Sequence, residues 1–94
     1  MLQAVKDYLK ITWDDEDASL QAMIERGKAY LNDLTGAELD FDVAGPPRSL
    51  LLDYCRYVYN NASEYFEENF ARKLSRLQLQ VGVGELDAVE ETTG

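Results

Sequence analysis

The chain has 94 residues, is 46 % hydrophobic and carries a net charge of −9 from 18 acids against 9 bases, with one cysteine and no histidine. That length is one domain at most, able to bury roughly 60–65 % of its unfolded surface. The acidic balance excludes the basic face of a nucleic-acid binder and an anionic membrane as partner, and the missing histidine removes the commonest general base and metal ligand.

Residues 1–10 lack the apolar stretch of a secretory signal, and no run approaches the ~20 apolar residues of a membrane span, so a cytoplasmic setting is expected. Residues 2–11 read as a short amphipathic helix. Leu2, Val5 and Leu9 form its stripe, Ile11 stands at the exit, and Lys6 and Lys10 fall on the opposite side. About nine residues are too few for a stable isolated helix, so packing must hold it.

The acidic run Asp14-Asp15-Glu16-Asp17 follows Trp13. Asp14 or Asp15 is expected to cap the next helix, with Glu16 and Asp17 near the positive end of its dipole. The run lacks the alternating ligand spacing and the glycine of a calcium loop. Trp13 is placed to pack back on the helix as a hydrophobic staple, or to serve an interface.

The second helix is expected over 17–35. Leu20, Ile24, Gly27, Leu31 and Leu34 make its stripe, widened by Met23 and Tyr30. A glycine inside a helix costs about 1 kcal/mol against alanine, so Gly27 on the apolar side points to close approach of another helix. Gly36 suits a left-handed terminator. In the link 37–45, Leu39, Phe41 and Val43 alternate with Asp40 and Asp42, which fits an extended loop or one short edge strand.

Residues 46–70 are the stretch around which the chain is organised. Pro46 and Pro47 open it, tolerated in a first helical turn. Leu51, Tyr54, Cys55, Val58, Ala62, Tyr65 and Phe66 recur at steps of three and four, with Leu50, Tyr57 and Asn61 beside them. A helix is expected over 46–68 and a shorter one near 70–78. Asn69 caps the latter, or the central helix runs on with a bend. The wide apolar side serves the core of one subunit or, in part, a contact between subunits. Leu20, Ile24, Leu31, Leu51, Cys55 and Val58 are the expected core.

Phe70, Leu74 and Leu77 continue the stripe, with the basic cluster Arg72, Lys73 and Arg76 outside it. From Leu77 the spacing changes to alternation through Leu79, Val81 and Val83. The last ten residues hold four acids and no base. The expected fold is thus all-α, a small bundle of three to four helices, with a helical domain over 1–78 and a flexible C-terminal arm and acidic tail over 79–94. Tyr57, Tyr65, Phe70, Arg72, Lys73, Leu74, Arg76, Leu77, Leu79 and Val81 are the candidate interface residues. No Cys/His pair, Ser/His/Asp set, phosphate-cradling glycine loop or zinc spacing is present, so neither an enzyme nor a cofactor or metal site is expected.

Three pieces stand in a telling order: a short helix, an acidic segment and a long helix ending in Tyr30 and Thr35-Gly36; a variable link; and the Pro-led, aromatic-rich PPRSLLLDYCRYVYNN. In this, residues 1–66 resemble the head–tail connector (adaptor, or head-completion) proteins of long-tailed bacteriophages. Tyr59-Asn60-Asn61-Ala62 stands where many members have a Tyr-Glu-Asn-Arg-like segment, so no role of that arginine carries over. The resemblance implies a structural virion protein, assembled in the host cytoplasm and located at the head–tail interface. It implies a ring of copies beneath the portal protein, a docking surface for a stopper or tail-completion protein, and a channel through which genomic DNA passes without specific binding. The alternative is a small acidic helical protein that inhibits a basic partner, as a DNA mimic or anti-activator.

Overall fold

The computed structural model describes the backbone of residues 1–93 and the side chains of residues 1–82. Four helices follow one another: α1 (Leu2–Leu9), α2 (Asp17–Thr35), α3 (Pro46–Tyr59) and α4 (Phe66–Thr93), the last entered through a 3-10 turn at Ser63–Tyr65. No strand occurs among the described residues, so the fold is all-α and the link 37–45 is a loop. α2 and α3 form the most extensive pair; α4 packs across both, and α1 lies against the same two.

The core follows the helical stripes. Val5, Leu20, Ile24, Leu31, Leu51, Cys55 and Phe66 are sealed, and Leu50, Phe70, Leu74 and Leu77 join them. Of the six expected core residues only Val58 is partly buried, at the edge. The loop contributes Phe41, which is buried, while Val43 is exposed. The Arg48 guanidinium donates to the Phe41 carbonyl at 3.2 Å and so ties the loop to the start of α3.

Gly27 is where α2 and α3 meet. A Cβ there would stand 2.6 Å from Leu51 Cδ1 and 2.7 Å from Tyr54 Cδ1, so only a residue without a side chain permits this approach. Gly36 ends α2 in the left-handed region (φ 71°), its N–H donating to the Asn32 carbonyl at 2.8 Å, as its position predicted.

Several helix ends differ from expectation, and α4 spans Phe66–Thr93 where a shorter helix near 70–78 was expected. The central helix stops at Tyr59 and not at 68. Asn61 adopts φ 57°, its N–H donates to the Val58 carbonyl (3.1 Å), and the Ala62 N–H donates to the Tyr57 carbonyl (2.8 Å), which is a Schellman terminator. Asn69 therefore lies inside α4 and caps nothing. α1 ends by the same device: Lys10 takes φ 61°, with Lys10 N–H to Asp7 O (3.3 Å) and Ile11 N–H to Lys6 O (2.8 Å). At the start of α2 the cap position is Glu16, not Asp14 or Asp15, and no side chain bonds the free N–H groups.

The backbone of α4 runs on through Leu77 without a change of period. Phe66, Phe70, Leu74, Leu77 and Val81 hold the inner side at steps of three and four, and Leu79, the residue that suggested alternation, points outward. Most of the expected arm, residues 83–94, lies outside the described side chains.

Candidate functional site

The acidic run serves α1. Lys6, expected on the exposed side, is 5 % exposed, and its ammonium donates to Asp14 Oδ1 at 2.6 Å and Asp17 Oδ1 at 2.8 Å. These two hydrogen bonds raise the Lys6 pKa against the opposing effect of burial. Trp13 is not part of the core; its indole N–H donates to Glu16 Oε2 at 3.0 Å, and the Tyr59 hydroxyl donates to the same oxygen at 2.8 Å. The segment before α2 is thus a set of anions that receives donors from α1 and α3. The signal in the sequence was four acids in a row after a short helix in which Lys6 adjoins the stripe residue Val5.

An aromatic cluster joins the three longer helices. The Phe66 ring lies 5.5 Å from Tyr54, 5.8 Å from Tyr57, 6.2 Å from Tyr30 and 4.9 Å from Phe70. The hydroxyls at its rim have surface partners: Tyr30 donates to Glu67 at 2.8 Å, and Tyr57 accepts from Asn69 at 2.9 Å. Burial, followed by the bond to Glu67, pushes the Tyr30 pKa up to about 12. Tyr8, on α1, donates to Asp53 of α3 and is raised mainly by that bond.

The ten candidate interface residues divide by exposure. Phe70, Leu74 and Leu77 are buried in the subunit's own core, and Tyr57 and Val81 pack at its edge. Tyr65, Arg72, Lys73, Arg76 and Leu79 remain at the surface. Arg72, Arg76 and Leu79 line a shallow hollow on the outer side of α4. None of the three cations of α4 pairs with an acid among the described residues. Lys73 and Arg76 also form one wall of a groove between α3 and α4 whose floor includes Pro46, Leu50 and Leu77.

Cys55 is fully buried, and burial alone pushes its thiol up to about 11, which leaves no reactive thiolate near neutral pH. Among the described residues no three His, Cys, Asp or Glu side chains converge as metal ligands, and no helix is long and apolar enough to cross a membrane.

No curated protein and no solved structure matches the chain. Residues 1–84 match the family described as "Phage gp6-like head-tail connector protein". That span takes in α1, α2, α3 and the part of α4 that carries the exposed cations. The all-helical fold suits such a part, and a match over this much of the chain decides membership: the protein belongs to the phage gp6-like head–tail connector family and is a structural connector of the virion.

Proposed function

We propose that copies of this chain pack side by side into a ring beneath the portal, extend the DNA channel, and offer a docking surface to a stopper or tail-completion protein. Assembly takes place in the host cytoplasm, and residues 79–94 act as an arm within the ring. The observation that carries this reading is the basic side of α4, where Arg72, Lys73 and Arg76 have no acidic partner among the described residues, on a chain whose net charge is −9. A ring needs each copy to present two different surfaces that fit one another, and a basic strip on an acidic molecule supplies such a pair. The acidic remainder suits a channel in which DNA slides and is not held.

Purified chain mixed with its portal should give a ring seen by electron microscopy, and a mass by size exclusion with light scattering well above that of portal alone. A chain that ignores the portal and binds a soluble basic protein one to one would be an acidic inhibitor instead.

A further inference from the structure

The groove between α3 and α4 has a volume of about 400 Å3 and a mostly apolar lining. Pro46, Leu50 and Leu77 form its floor, while Lys73 and Arg76 stand at its rim. Lys73 lies over the Phe70 ring, 5.4 Å from its centre, and neither cation has an acidic partner among the described residues. Asp53, the acid of the lining, is already engaged by Arg56 at 3.4 Å and by the Tyr8 hydroxyl. The groove therefore suits a short segment that brings an apolar residue or two between anions.

The chain contains such a segment. Residues 85–91 read ELDAVEE: Leu86 and Val89 stand three apart in the sequence, among the acids Glu85, Asp87, Glu90 and Glu91 and with no base. We propose that this acidic segment of one copy occupies the α3–α4 groove of a second copy. A chain does not fill its own groove, because α4 continues as a helix to Thr93 and carries Glu85 about 14 Å beyond Arg76. The contact rests on the ring reading for its geometry: each copy gives a tail and receives one, a heterologous contact that closes into a ring.

The test uses the full chain with its tail charges reversed (E85K/D87K/E90K/E91K), so that no resident tail competes, and a fluorescent peptide of residues 84–94 as probe. Anisotropy should show saturable binding that adding K73E/R76E weakens at least roughly tenfold, while R26E/K28E on α2 leaves it unchanged. Circular dichroism melts establish that each variant is folded. Absence of saturable binding, equal affinity in K73E/R76E, or an equal loss in R26E/K28E would overturn the proposal. So would a parent chain, monomeric by sedimentation, that excludes the peptide the tail-reversed chain accepts, since its own tail would then fill the groove. Intact peptide binding without rings on the portal would count against the ring alone; rings without peptide binding would count against the groove alone.

Discussion

Gly27 on α2 and Leu51 on α3 touch backbone to side chain: there is no room for even a methyl group between them. Tyr54 closes the other side of the contact, and its ring is wedged between Tyr30 (5.7 Å) and Phe66 (5.5 Å), so it cannot swing away. Gly27→Ala would gain about 1 kcal/mol of helix propensity against an overpacking cost of about 1–3 kcal/mol, so the chain should come out less stable by up to about 2 kcal/mol. Urea unfolding checks this; a variant as stable as the parent would show that α2 and α3 separate freely.

Lys6 is tied to both Asp14 and Asp17, so Lys6→Met should lower the urea midpoint and loosen α1 first. The folded pKa is raised above the ordinary value of 10.5. The stabilisation is therefore fully present below that value and lost as pH rises through the folded pKa. The gap between parent and variant should stay constant through neutral pH and narrow above about pH 10.5. A gap that grows with pH would mean that the ammonium is not what holds α1.

Lys10 occupies a left-handed position that most side chains resist. Lys10→Gly should raise stability by about 0.5–1 kcal/mol, the strain relieved less the added freedom of the unfolded chain. The readout is chemical denaturation, and a loss would mean that α1 does not end in this terminator.

Two further groups, Cys55 and Tyr30, carry the largest upward shifts and add to the alkaline limb of stability. Cys55 moves from 9.0 to about 11 and Tyr30 from 10.0 to about 12 on folding, so both favour the native state while neutral, and that contribution drains away as pH rises through the folded values. Cys55→Ala should flatten the decline between pH 9 and 11, and Tyr30→Phe that between 10 and 12. At pH 8 an aromatic disulfide reagent should modify Cys55 only at the rate at which the core opens; immediate reaction would contradict its burial.

Periodicity made the helices legible because burial enforces it: Leu20, Ile24, Leu31, Leu51 and Cys55 could be placed from spacing alone. Helix ends were read less well where the terminator was not glycine. Gly36 announced its turn, whereas Lys10 and Asn61 adopt the same conformation with residues that also occur inside helices. Lys6 was misplaced because a lysine reads as solvent-facing until its partners are known, and those partners lie across a chain reversal. The exposure of the candidate interface residues was only partly legible. Stripe residues of α4 look alike whether they pack inward or against a neighbour, and only the fold separates Phe70 and Leu77 from Tyr65 and Leu79.

Phe66 also dictates a sequence of events. Its ring enters a space framed by Tyr30, Tyr54 and Tyr57, which exists only once α2 and α3 have closed on each other across Gly27. α4 is thus expected to dock after α2 and α3 have paired, the order in which a ribosome releases them. Phe66→Leu should then speed unfolding and leave the refolding rate nearly unchanged, while Leu51→Ala slows refolding. Stopped-flow chevrons distinguish the two, and a refolding rate that falls as much for Phe66→Leu as for Leu51→Ala would place α4 in the folding nucleus.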